Sequence, residues 1–226
     1  MQWDDLGYLI SKNSYSENSV IVELYTEHHG KCSGIIFGAT SKKIKNYLQI
    51  GNKLNVNYNY KSEGKLGYFK IEIFEVHTPY YFENKKKLLC IISAMNLVKL
   101  LTVELQKNIK IFKLINNFFL LLKSNSWIKE YILWELKLLE FVGYKLQLKK
   151  IAKLETFNNE KKYFVLSSSE KKYVPNFLID RDEKKLDKKT LSKALKLVGD
   201  FLEKNVLKPN NISYPNSRLD FANLFK

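Results

Sequence analysis

Three lysines within four positions, Lys42, Lys43 and Lys45, follow the apolar run "GIIFGA" with no acid among them. Ammonium groups set that close together are suited to holding phosphate or another polyanion. Lys31, Lys53 and Lys70 flank them, and Tyr58 and Tyr60 alternate along "NKLNVNYNY" nearby. Lysines interleaved with aromatics suit a flexible strand of nucleic acid, whose backbone follows the charges while bases stack on rings. These eight residues are the candidate binding set. The competing reading packs the aromatics inside and leaves the lysines as a solvated rim.

The charge is concentrated. Residues 1–30 hold one lysine, Lys12, and five acids, whereas residues 31–70 hold eight lysines and one acid, Glu63. Over the whole chain of 226 residues the formal net charge is +15, of which residues 1–82 carry +1 and residues 83–226 carry +14. Such an excess favours a polyanionic partner, either nucleic acid or an anionic membrane surface.

Other chemistry is sparse in the sequence. His28 and His29 are adjacent in a turn and His77 stands alone, with no Cys or Asp at metal-ligand spacing, so an exposed, solvated pair is expected. Cys32 and Cys90 are too few for a disulfide framework or a zinc site, and read as buried hydrophobes of a reduced protein. "DRDEKKLD" (180–187) mixes signs and reads as a charged surface loop rather than a magnesium site. Neither a P-loop nor a GxGxxG fingerprint is present. The expectation is a binding protein: no catalytic residue, no metal, no cofactor and no small-molecule substrate. The acidic start "MQWDDLGYLI" lacks an apolar h-region, and the most apolar run, residues 88–101, is shorter than the ~18–20 residues a membrane span needs. A cytoplasmic protein is expected; the family resemblance set out below further implies association with the nucleoid.

The elements that must position the lysines follow from periodicity. Residues 1–80 read as five short strands with a break between the third and fourth, the second strand alternating Val20, Val22 and Leu24. That pattern predicts an OB-fold barrel, with an SH3-like barrel of the same strand count also open. Gly34 and Gly38 are expected at bends or bulges of the third strand. Pro79, within "HTPYYFENKKK" (77–87), marks a switch to a mostly helical region over 81–226. Helices are predicted over 88–105, through "NIKIFKLINNFFLLLKS" and through "SWIKEYILWELKLLEFVGY". In the last of these, Trp127, Tyr131, Trp134, Leu138 and Phe141 form an apolar stripe that Gly143 stops. Residues 150–187 lose the helical period and predict a hairpin-like excursion. A last helix is expected from an N-cap at Thr190, burying Leu191, Leu195, Val198 and Leu202, and a tail with two prolines is expected to wrap over the surface. The fold class is α+β.

In this order the chain resembles the bacterial recombination and repair protein O (RecO) family. The resemblance rests on the opening "MQWDDLGYLISKNSYSENSVIVELYTEHHGKCSGIIFGATSKK" and, further on, "LQIGNKL", "LGYFKI" and "ELKLLEFVGYKLQL". It implies an N-terminal OB-fold and a helical C-terminal domain. It also implies a mediator that binds single- and double-stranded DNA, anneals complementary strands and helps RecA load onto strands coated by single-strand-binding protein (SSB). The implied partners are RecR and the acidic C-terminal tail of SSB, the latter steered by the basic helical region. Two departures stand out. Ile151 and Leu154 occupy the positions of the first CxxC of a family zinc module, and no cysteine follows Cys90. The basic element of relatives is written here "FGATSKK", with Phe37 where a basic residue stands.

Two other readings fit the charge: an RNA-binding OB-fold protein, and a peripheral membrane protein using its basic helical half on anionic lipid. The second is at odds with Glu130, Glu135 and Glu140 along the strongest helical stripe.

Overall fold

A computed structural model describes residues 2–60, 66–157, 160–167, 170–180 and 186–225. Five strands close on themselves, and the third of them alternates buried and more exposed side chains along its whole length. β1 (Gln2–Ser16), β2 (Ser19–Thr26), β3 (Gly30–Phe37), β4 (Lys53–Asn59) and β5 (Gly67–Glu75) form a closed barrel in the order β1-β2-β3-β5-β4. The break between β3 and β4 holds a short helix, α1 (Lys42–Tyr47), and the barrel closes by a parallel pairing of β3 with β5. This is the OB-fold arrangement, as the strand pattern predicts. β1 is long because it serves two partners: its first half pairs with β4, while its length from Gly7 onward pairs with β2 across a register shift at Leu9/Ser11. Most of the predicted "KSEGKLG" turn, residues 61–65, lies outside the described residues.

The core follows the alternation read from sequence. Leu9, Val22, Leu24, Cys32, Ile36, Leu54, Val56, Phe69 and Ile71 fill the interior, and Leu48 with the half-buried Ile44 and Tyr47 closes it beneath α1. Gly34 is not a bulge. It sits in regular register opposite Val22 and pairs with Gly67. A side chain at Gly34 would meet the Phe69 ring at 2.5 Å, and one at Gly67 would meet the Tyr58 ring at 2.4 Å. The two glycines therefore make room for two inward rings. Gly38, at φ +71°, turns the chain out of β3.

The chain divides into two compact units. In the first, residues 1–122 with 215–221, the barrel packs with two helices, so this unit runs past the composition switch at Pro79. α2 (Lys85–Leu101) is capped by Asn84, whose side chain accepts from the Lys87 amide; it stops at Leu101, short of the predicted 105, where Thr102 turns extended. α3 (Ile109–Leu121) is capped by Asn108. Cys32 and Cys90 are both buried, as predicted, and burial pushes the Cys32 thiol up to about 12.

The second unit, residues 123–214 with 222–226, begins with α4 (Trp127–Phe141). Tyr131, Trp134 and Leu138 of the predicted stripe are buried, and Trp127 and Phe141 half-buried. Gly143, at φ +98°, ends the helix: its amide and that of Tyr144 bond back to Glu140 and Leu139. After α5 (Leu148–Ile151) the predicted hairpin proves to be a three-stranded antiparallel sheet of β6 (Lys153–Phe157), β7 (Glu160–Ser167) and β8 (Glu170–Val174). Tyr163 and Val165 of β7 pack with the buried Val174 of β8 against Leu148 and Ile179, so hydrophobic packing holds this segment. α6 (Phe177–Asp180) follows, then α7 (Lys188–Leu202). The α7 cap is Asp187, not Thr190, because the aspartate carboxylate accepts from the Thr190 amide at 2.9 Å. Leu195, Val198 and Leu202 are buried as predicted, and Leu191 is half-buried. Of "DRDEKKLD", residues 181–185 lie outside the described residues. The tail does not simply wrap over the surface: it forms α8 (Asn216–Asn223), with Arg218 and Phe221 buried. No described helix is long and apolar enough to cross a membrane.

Candidate nucleic-acid interface

Ser41 starts α1, its side chain accepting from the Ile44 amide, and the helix lays Ile44 and Tyr47 on the barrel core. With one face committed inward, Lys42, Lys43 and Lys45 are left exposed. Lys43 Nζ stands 5.9 Å from the Tyr47 ring centroid. A fourth lysine joins them. Lys12 of β1 donates from Nζ to the Leu48 carbonyl at 2.6 Å, at the end of α1. Burial of that ammonium, and then the charge of Lys45, pulls Lys12 below the ordinary lysine pKa. Like charges gathered this closely, with no described acid in an ion pair with any of the four, make a site that a polyanion would relieve. Sequence order hides Lys12 among five acids; only the path of β1 under the end of α1 reveals it.

The other candidate residues are dispersed. Lys31 is half-buried and donates to the Lys99 carbonyl at 2.9 Å, tying β3 to the end of α2. Lys53 is only 9% exposed. Its Nζ donates to Asn116 Oδ1 at 3.2 Å and lies within 5.5 Å of the ring centroids of Tyr8, Phe74 and Phe112. That geometry takes Lys53 out of the interface: it serves the packing of α3 on the barrel. Lys70 is exposed on β5, but in a groove of about 640 Å³ lined also by Asp4, Asp5, Glu27 and Glu72. Tyr58 points inward between Trp3 and Phe69, at centroid distances of 4.9 and 4.8 Å, and Tyr60 lies half-buried 6.0 Å from Tyr58. Of the two readings that alternation allows, Tyr58 follows the inward one on β4, and Tyr60 lies just past the end of that strand.

The histidine pair is not merely solvated. Asp5, its side chain 1% exposed, accepts from His28 Nδ1 at 2.9 Å and His29 Nδ1 at 2.8 Å, and from the His28 and Leu6 amides. Burial works to raise the Asp5 pKa, but these four hydrogen bonds together outweigh it and hold the carboxyl below its ordinary value. His29 also stacks on Trp3 at 3.9 Å. Asp5, Glu27 and His28 bring ligand-type atoms within 4.8 Å of one another, the single such group among the described residues. Asp5 already accepts as many hydrogen bonds as a carboxylate has lone-pair sites, so its chemistry there is structural.

Comparison with known proteins adds independent information. The chain matches the family models for the recombination protein O N terminal (residues 1–77) and the recombination protein O C terminal (residues 83–212). A DNA repair protein RecO of Wolbachia pipientis subsp. Culex pipiens (strain wPip) is 31% identical over 154 residues, 67% of this chain and 63% of that protein. The DNA repair protein RecO of Rickettsia africae (strain ESF-5) is 34% identical over 150 residues, and that of Rickettsia akari (strain Hartford) 35% over 150. The chain thus spans about 63% of the length of the curated relatives it matches.

Proposed function

The chain belongs to the recombination protein O family, and from that membership we propose a DNA repair and recombination mediator that binds both single- and double-stranded DNA. Its work is binding and bringing strands together, not catalysis: annealing complementary strands and helping RecA onto SSB-covered DNA in the cytoplasm, at the nucleoid. RecR and the acidic SSB tail are the protein partners of this reading. The observation that carries the DNA contact is the exposed cluster of Lys12, Lys42, Lys43 and Lys45 on an OB-fold barrel. In such barrels strands 2 and 3 and the loops beside them are the usual nucleic-acid face.

The test is electrostatic. Changing Lys42, Lys43 and Lys45 together to Glu should weaken binding to a single DNA strand at least tenfold. The slope of log affinity against log salt should flatten by about two units, since each phosphate contact contributes about 0.7. Melting temperature should hardly move, because the three side chains are exposed. Full DNA affinity in a folded variant would reassign binding to the lysines of the second unit. Competition of structured RNA against the DNA strand separates this function from an RNA-binding one.

A further inference from the structure

β3 ends on a large apolar side chain that the fold does not use. Ile36 points into the barrel at 2% exposure, so the next residue, Phe37, points out, and it is 61% exposed. On β5 the same alternation buries Phe69 at 2% and turns Tyr68 outward. The parallel β3–β5 pairing sets Ile35 beside Tyr68 and so brings the two outward rings together, with centroids 6.2 Å apart and planes at 55°. Immediately after Phe37 the chain turns at Gly38 and is pinned to the β1–β2 turn, where Asn18 takes the Ala39 and Thr40 amides, before it enters α1. The exposed Phe37 ring, with the half-buried Tyr68 beside it, and the exposed lysines are thus joined by one short, anchored segment. Strands 2 and 3 are paired here as well, Phe37 opposite Ser19.

We propose that Phe37 and Tyr68 form a stacking platform for unpaired bases, with the α1 lysines holding the sugar-phosphate backbone that carries those bases. This rests on the α1 lysines contacting nucleic acid, as set out above, and adds what that contact alone does not give: a means of telling single strands from duplex. Phosphate contacts are available from either form, but only an unpaired base can leave its own stack to lie on a protein ring. The positive charge beside the rings favours this occupant over an apolar peptide face.

The experiment uses the full chain at one salt concentration with four probes: oligothymidylate, an abasic strand of equal length, a blunt duplex and oligouridylate. The unaltered protein should bind oligothymidylate about tenfold more tightly than the abasic strand, within the ~1–3 kcal/mol per stacked base that such rings supply. The double variant Phe37→Ala/Tyr68→Ala should lose that preference while keeping its affinity for the abasic strand and the duplex, and its salt slope. Phe37→Ala alone, at an exposed position that leaves the fold intact, should lose part of it, and Phe37→Tyr should restore it. Loss on oligouridylate as well would extend the platform to both sugars; loss on oligothymidylate alone would assign it to DNA. Retention of the base preference in the double variant, or equal weakening on all four probes, overturns the proposal. The charge-reversed lysine triple separates the two ideas: it should weaken every probe, abasic strand included, and if it does not, the lysine contact fails while the base preference is judged by itself.

Discussion

Two corners of the barrel share the strand β1 and treat charge in opposite ways. At its start, Asp5 is buried and holds His28 and His29 by their Nδ1 atoms, so the acid and both rings serve the structure. Toward its other end, Lys12 reaches the end of α1 and joins three lysines that remain exposed. Charge that is paired and desolvated fixes a turn; charge left near its own kind stays available for a partner. The same contrast separates Lys53, spent on Asn116 and three rings, from Lys42 eleven residues earlier.

The largest effect should come from breaking the first corner. Asp5→Ala leaves two amides and two imidazoles without their acceptor and should destabilise the protein by about 2–3 kcal/mol, read as a lower urea midpoint. Below the transition its affinity for a DNA strand should match that of the unaltered protein; a loss of affinity in the folded state would mean the two corners are not separate. Next comes the second corner. Adding Lys12→Glu to the lysine triple should flatten the salt slope by a further ~0.7 unit, and an unchanged slope would remove Lys12 from the contact.

Acid should distinguish the corners too. The folded-state pKa of Asp5 lies below its ordinary 3.8, so its stabilisation is complete above 3.8 and is lost as pH falls through the lowered folded value. The stability gap between the unaltered protein and Asp5→Asn should therefore narrow only in that acidic window. A gap that is constant down through it would mean the carboxylate's charge is not what holds the turn. Smallest of all, Lys70→Ala should change single-strand affinity less than about twofold, since Asp4 and Glu72 share its groove. A tenfold loss would enlarge the interface across β5.

The β-to-α order, a five-strand barrel, the apolar stripe of α4 with its stop at Gly143, and the lysine run at 42–45 are legible in the chain before any fold is known. All of these are local: a period of two or 3.6, a turn residue, or adjacent like charges can be read within a dozen residues. The remainder depends on register and closure. Tyr58 and Tyr60 alternate as a stacking face would, but which side of β4 looks inward is settled by its pairing with β1 and β5, and the space for the Tyr58 ring by Gly34 and Gly67. Lys53 reads like any other lysine until α3 covers it, and His28 and His29 read as solvated until β1 places Asp5 between them. Lys12 and Phe37 carry no binding signal in the sequence for the same reason. A lysine 30 residues from its cluster and a phenylalanine at a strand end acquire a role only when barrel closure brings distant segments together, because the energies involved, desolvation, like-charge repulsion and ring contact, act over distances in space that sequence separation does not encode.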